Sequence, residues 1–486
     1  MTTKKPGHVF GRDAEWEELD RFAAAAPGSR LAVVYGRRRQ GKSLLLQELA
    51  AATDGFYWEA AQQSRAQNLG AFSVAWSRHI GTPGQPRFAN WQTALEAVFA
   101  APSPRGRPSH VVVFDEVGYL VETAREFPST LQRFFGPSSE RNGNTSMVIC
   151  GSVMAQITKL FSAGKPLRGR QGRNLRIDPF GYREAGAFWG LDAHPDAAFR
   201  LHALIGGTPA YRRFADGETP KGGNIDRWVV RHLLNPASPL HREGEILIAE
   251  DPTLVDKALY WSVLNAVADG HGRRGEIADA IDRPSNSLTQ SLKVLVEGGW
   301  IEQRADPLHK KASTVLLTEP ILRTHRVLLA AERYRLERGN ARAVWDDSQP
   351  LIARSIYGPH LEWMAADWLG RYASAESAGG MVRNAGPAVL RSGGRTMQLD
   401  VVVTEPTVSD ADRVCAVGEV KAENAPMGAA ELHRLDEAID AIRARKSQNV
   451  RRLLVARRGF TADLKRTARR RGDVELIDLH RLYHDT

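Results

Sequence analysis

Cysteine is scarce in this chain. Cys150 and Cys415 are the only two among 486 residues. They lie too far apart for metal-ligand spacing or a disulfide framework, which fits a reducing, cytoplasmic setting. Long hydrophobic runs are missing too. No stretch of about 18 apolar residues occurs, so no membrane span and no membrane partner are expected. The opening MTTKKPGHVFGRD lacks the apolar core of a signal peptide. There are no internal repeats and no long low-complexity tract. Acidic residues fall short of basic ones: the formal net charge is +10 and the sequence pI near 9.7. The excess concentrates between Arg443 and Arg471. There Arg443, Arg445, Lys446, Arg451, Arg452, Arg457, Arg458, Lys465, Arg466, Arg469, Arg470 and Arg471 face Asp463 as the one acid in the stretch. A positive face of this kind attracts polyanions such as nucleic acid through counterion release. A solvated arginine-rich surface has the same composition.

With 42% apolar and 25% charged residues the composition is that of an ordinary globular protein, and the length suggests two to four domains. RLAVVYGRRRQGKSLLLQELAA reads as strand, glycine-bounded loop and helix. GFYWEA, HVVVFDEVGYL and SMVICGSV read as further strands separated by helical patterns. Strands alternating with helices predict an α/β fold with a parallel sheet covered by helices on both faces. A polar break, GETPKGGNID, follows near residue 215. Residues 253–303 then read as helix, short helix, turn, third helix and strand, with RADPLHKKAS as a loop and TVLLTEP as the return strand. From about 350 the texture changes again, to a helix, three strands, a helix, a strand, a helix and a strand. The expected domains are 1–215, 216–335 and 336–486.

GRRRQGKS sets Gly36, Gly41, Lys42 and Ser43 in the G-x-x-x-x-G-K-[ST] spacing. The glycines let the backbone curl so that amide N–H groups face inward, and the following helix offers its positive N-terminus. Arg37, Arg38, Arg39, Gln40 and Leu44 complete the cradle. Lys42 is expected to reach the β- and γ-phosphates of ATP, and Ser43 to ligate Mg²⁺. The acidic strand end VVVFDE supplies Asp115 to hold Mg²⁺ through water and Glu116 to orient and deprotonate the attacking water. The next strand, MVICGS, ends at Ser152, either a sensor of the γ-phosphate or a simple strand-ending turn. Arg168, Arg170 and Arg173 follow, as a solvated basic loop or as the source of an arginine finger. A finger given to a neighbouring copy would favour a homo-oligomer.

Together, FGRDAE, GRRRQGKS, VVVFDE, ICGS, LRGRQGRNLRIDPF and GGTPAY resemble the archaeal-type ATPases of the STAND branch of P-loop NTPases, relatives of AAA+ proteins. The resemblance covers roughly residues 8–330. It implies that Phe10, Gly11 and Arg12 lie near the adenine, and that a winged helix follows the ATPase core. Many members add a C-terminal domain of restriction-endonuclease type. The chain departs from the family in carrying three successive arginines in the phosphate loop.

The C-terminal third offers its own constellation: Glu362 on a helix, Asp400 in QLDVVV, and Glu419 and Lys421 in GEVK. On a strand the E-x-K spacing puts both side chains on one face. The ordered set resembles the PD-(D/E)xK nuclease fold, with Leu399 where a proline is usual. It implies that Glu362, Asp400 and Glu419 hold Mg²⁺ or Mn²⁺, which activates water and neutralises phosphate. Lys421 would then orient the water and stabilise charge at phosphorus. An exposed edge strand with alternating charge would look the same.

In the winged-helix segment, Asn286, Thr289, Gln290 and Lys293 would be the exposed residues of the third helix, with His309, Lys310 and Lys311 on the wing. Packing against the nucleotide domain and DNA reading are both open to such a module. The leading expectation is an ATP-binding and hydrolysing switch controlling a Mg²⁺-dependent nuclease. Its substrate would be nucleic acid, DNA ahead of RNA, and its use defence or repair. The alternative is a regulatory or scaffold ATPase whose C-terminal domain binds nucleic acid or protein without cutting. A sequence-reading DNA binder is the third.

Overall fold

The strands RLAVVY, HVVVFD and TSMVICG are buried almost without interruption, as strands covered on both faces must be. The computed structural model describes residues 3–25, 28–82, 87–136, 143–152, 160, 167–251, 254–309, 312–392, 395–406, 412–443 and 449–485. The chain packs as two compact units, 1–179 and 180–486.

In the first unit β1 (Arg30–Tyr35), β2 (Phe56–Glu59), β3 (His110–Asp115), β4 (Thr145–Gly151) and β5 (Gln171–Arg176) form one sheet in the order β2-β3-β4-β1-β5. Every pairing is parallel. Alternate residues feed two cores. Val33, Phe114 and Ile149 pack with Phe72, Trp76 and Trp91 of the helices Arg65–His79 and Trp91–Ala100. Val34, Val113 and Val148 pack with Trp16, Leu19 and Leu46 of Asp13–Ala24 and Lys42–Ala52. The first four strands are those the hydrophobic runs predict. The polar QGRNLR was not legible as a fifth. It pairs with β1 on one side only, and an edge position does not demand apolar alternation.

The sequence predicts a boundary near 215, but helices Tyr182–Phe188 and Pro195–Ile205 pack in the second unit. Tyr182 and Phe199 share a core with Trp368 and Leu482. The Tyr182 hydroxyl donates to the Leu482 carbonyl at 3.0 Å. Helices Lys257–Ala268, Arg274–Ala280 and Leu288–Glu297 follow, then an antiparallel hairpin, β6 (Ile301–Ala305) and β7 (Ser313–Leu317). Their apolar stripes converge on Val263, Ile277, Leu292 and Val315. The last sheet runs β12-β11-β10-β9-β8. It comprises β8 (Asn384–Ser392), β9 (Arg395–Glu405), β10 (Arg413–Lys421), β11 (Arg451–Ala456) and β12 (Val474–Asp478). β8, β9 and β10 pair antiparallel, β10, β11 and β12 parallel. Helix Gly358–Arg371 covers one face through Leu361 and Met364. Ala429–Arg443 and Ala462–Arg471 cover the other through Leu435 and Leu464.

The β6–β7 hairpin docks on the outer strand of this sheet. His309 Nε2 lies 3.0 Å from the Val389 carbonyl oxygen, and Asn384 Nδ2 donates to the Ala305 carbonyl at 3.1 Å. His309 is therefore engaged within its own unit; Lys310 and Lys311 lie outside the described residues. Asn286, Thr289, Gln290 and Lys293 are exposed. Among the described residues, no helix is long and apolar enough to cross a membrane.

Candidate nucleotide and metal sites

The phosphate loop joins β1 to helix Lys42–Ala52. Gly36 has φ +150, and a Cβ there would sit 2.2 Å from the Ile177 carbonyl oxygen, so only glycine fits. Gly41 (φ 84) and Arg39 (φ 70) turn the chain into the helix. Lys42 is buried and donates from Nζ to the Arg37 carbonyl at 2.7 Å. Burial lowers its pKa, against the upward pull of Cys150, Glu116 and Asp115. Ser43 is half-buried and Leu44 exposed in the first helical turn. Arg12, buried and itself at φ 58, braces the loop. It donates to the Gln40 carbonyl at 3.2 Å and the Asp178 carbonyl at 2.6 Å. Gly11 adopts φ 59 before it, and Phe10 is exposed. Arg38 donates to the Tyr119 hydroxyl at 3.0 Å.

Because β4 lies between β1 and β3, the strand ends place Lys42, Ser152 and the acids around one crevice, the usual ligand position in such sheets. Asp115 is fully buried. Its Oδ1 accepts from the Glu116 amide at 2.8 Å and its Oδ2 from the Tyr57 hydroxyl at 2.7 Å. Glu116 sits in the left-handed region, φ 49, a conformation that costs energy for a non-glycine residue and recurs at working sites. The Ser152 hydroxyl donates to Glu116 Oε2 at 3.0 Å. A hydrogen-bonded run therefore links Tyr57, Asp115, Glu116 and Ser152 across three adjacent strands. Burial, then the charge of Asp115, raises the Tyr57 phenol pKa. Burial, then Asp115 and Glu116, raises the Glu59 carboxyl, which pairs in register with Asp115. Burial and then Asp115 also push the Cys150 thiol up. Among the described residues the donors to Asp115 are neutral, and a buried carboxylate so held beside a hydroxyl-bearing helix start suits a hydrated divalent cation. Sequence spacing missed Tyr57 and Glu59, because their place beside Asp115 depends on strand register.

Of the basic residues after this core, Arg173 pairs with Glu18 at 3.2 Å and Arg170 donates to the Phe135 carbonyl at 2.9 Å. Arg168 is exposed.

In the second unit, Glu419 is buried. Its Oε1 accepts from Lys421 Nζ and from Arg434, both at 2.7 Å. Asp400 Oδ2 accepts from the Val420 amide at 2.8 Å. Burial and the neighbouring Glu419 charge raise Asp400 to about 6. Burial and Asp400 raise Glu362 to about 8. Burial pulls Lys421 down, but its bond to Glu419 and the charges of Glu419 and Asp400 outweigh that and raise it. Arg323, drawn to about 10 by burial, is held up by the charge of Glu362. Asp400, Glu419 and Lys421 thus meet, and Glu362 feels the charges of all three. Yet among the described residues no three metal-capable side chains are gathered for an ion. Glu419 is bound by Lys421 and by Arg434 of Ala429–Arg443, while Glu362 rides on Gly358–Arg371. Burial comes first in raising both Asp400 and Glu362, with a neighbouring acid second; Glu419 is already held by Lys421 and Arg434.

Residues 9–191 match the family described as an ATPase domain predominantly from Archaea, and this segment is an archaeal-type ATPase domain. An uncharacterized protein of Methanocaldococcus jannaschii is 25% identical over 276 residues, 56% of this chain and 57% of that protein. The match thus spans a little over half of that relative's length. The Walker-type ATPase of Pyrococcus abyssi superposes with a TM-score of 0.51 at 18% identity, covering 67% of this chain and 97% of that one. It shares the fold.

Proposed function

We propose that the first unit binds ATP with Mg²⁺ and hydrolyses it, as a STAND-type switch. The observation that carries this is the hydrogen-bonded run from Tyr57 through Asp115 and Glu116 to Ser152, set beside Lys42. Lys42 balances phosphate charge, Ser43 and Asp115 hold the ion, and Glu116 orients water, with Ser152 fixing its carboxylate. Phe10, Gly11 and Arg12 flank the base. Bound Mg²⁺ supplies charge neutralisation at the phosphates. The test is ATP hydrolysis by the full chain and by Lys42→Ala. Hydrolysis that persists unchanged in the variant would rule out this site.

For the second unit we propose a PD-(D/E)xK-type site acting on nucleic-acid phosphodiesters, with the three helices and hairpin as a winged helix that couples it to nucleotide state. Asp400 and Glu362 would hold Mg²⁺ or Mn²⁺, and Lys421 would stabilise charge at phosphorus. The capture of Glu419 by Lys421 and Arg434 favours a second reading, in which the domain binds nucleic acid without cutting. Plasmid, linear, single-stranded DNA and RNA, incubated with Mg²⁺ or Mn²⁺ with and without ATP, separate the two. Cutting that disappears in Asp400→Ala supports the nuclease. Binding with no cutting by the wild type supports the second reading.

A further inference from the structure

The basic stretch 451–471 divides in the structure into two sets of different use. One set is consumed internally by acids that lie outside the stretch. Arg451 pairs with Glu475 at 2.8 Å. Buried Arg452 pairs with Asp436 and Asp473, each at 2.7 Å. Buried Arg457 binds Asp196 at 2.7 Å and Asn424 at 3.1 Å. Arg471 binds Asp436 at 2.7 Å and Asp473 at 3.0 Å. These cations hold the fold together and are not offered to a partner. Arg445 and Lys446 lie outside the described residues.

The other set is Arg458, Lys465, Arg469 and Arg470. All four are exposed, and among the described residues none is paired with a carboxylate. Arg466 shares their face, with a solvent-exposed pairing to Asp463 at 3.2 Å of the kind that contributes little. Lys465 and Arg469, and Arg466 and Arg470, are each one helical turn apart. Leu464 and Ala468 pin the opposite side of helix Ala462–Arg471 to the sheet. The strip therefore has one orientation, outward.

Its position matters as much as its charge. Ala456, the last residue of β11, pairs with Lys421, and the Arg457 amide donates to the Lys421 carbonyl at 3.0 Å. The two loops leaving these strands are zipped together. Met427 donates to the Gly459 carbonyl at 2.9 Å and Thr461 to the Met427 carbonyl at 3.0 Å. Arg458 and the start of the helix thus stand at the same end of the sheet as Lys421.

We propose that Arg458, Lys465, Arg469 and Arg470 form a docking strip for the phosphate backbone of nucleic acid, leading to the Asp400–Lys421 site. It rests on the reading of that site as one for nucleic acid. Backbone contacts of this type position a polynucleotide without reading its sequence.

The experiment is fluorescence anisotropy of a short labelled DNA duplex with the full chain in EDTA, across a salt series, so that binding is measured without cutting. The variants are the fourfold alanine change (Arg458→Ala, Lys465→Ala, Arg469→Ala, Arg470→Ala) and the singles Arg469→Glu and Arg470→Glu, which keep the fold if the fourfold variant loses it. The fourfold variant is expected to bind at least about tenfold more weakly at low salt. The slope of log affinity against log salt should become shallower by about 3 to 4. Each single should fall in the same direction by a smaller factor. Affinity and slope unchanged in correctly folded variants, or no duplex binding by the wild type at low salt, would overturn the strip. A wild type that binds but never cuts with Mg²⁺ or Mn²⁺ removes the nuclease reading and leaves the strip standing. A wild type that cuts while the fourfold variant binds as well as it does removes the strip alone.

Discussion

Tyr57 and Asp115 meet across neighbouring strands, hydroxyl to Oδ2 at 2.7 Å. With the Glu116 amide on Oδ1 at 2.8 Å, both oxygens of the buried acid are fixed. A hydrogen bond to an ionised group contributes roughly 1.5–3 kcal/mol. Tyr57→Phe should therefore slow ATP hydrolysis by about tenfold or more and raise the Mg²⁺ concentration needed for half-maximal rate, with ATP binding in EDTA preserved. An unaltered Mg²⁺ dependence would mean that the tyrosine merely packs.

Glu116→Gln should lower hydrolysis by roughly 10²- to 10⁴-fold, the range for losing a general base, while fluorescent-nucleotide binding persists. Ser152→Ala releases one oxygen of the same carboxylate and should give a smaller decrease. If Glu116→Gln hydrolyses like the wild type, another group positions the water.

Gly36→Ala introduces a Cβ 2.2 Å from the Ile177 carbonyl oxygen at φ +150. The backbone term alone is about 1–3 kcal/mol. A lowered melting temperature together with lost ATP binding is expected. A variant with wild-type stability would show that the loop can shift away from Ile177.

The Asp436 carboxyl is lowered to about 2, first by its hydrogen bond to Arg471 and then, against burial, by Arg452. Its folded value lies below the ordinary 3.8, so its stabilisation is complete above about pH 4 and is lost as pH falls towards 2. Asp436→Asn should cost about 1 kcal/mol at neutral pH after allowance for solvent screening. Denaturant titrations at a series of pH values should show the gap from wild type closing near pH 2. A gap independent of pH would assign the loss to packing.

What could be read from sequence divides by range. GRRRQGKS and VVVFDE are local patterns, and the loop, the helix start and the acidic strand end stand where those patterns predict. The order of elements around Glu362, Asp400, Glu419 and Lys421 was also legible, since each element has its own periodicity. The capture of Glu419 by Arg434 was not, because it depends on which helix comes to lie over the strand. Likewise Asp463 is the sole acid within 443–471, yet Asp196, Asp436, Asp473 and Glu475 neutralise several arginines there from distant positions. The helices after Pro179 read as a continuation of the first domain, because nothing local marks the change of core.

The outermost strand of the last sheet, β8, is the one on which the β6–β7 hairpin rests through His309 and Asn384. An uncovered terminal strand is a template on which another chain can add a strand of its own. Here part of that template is occupied by the protein itself. Loosening the hairpin, as with His309→Ala together with Asn384→Ala, would free the Val389 carbonyl on that edge for another strand.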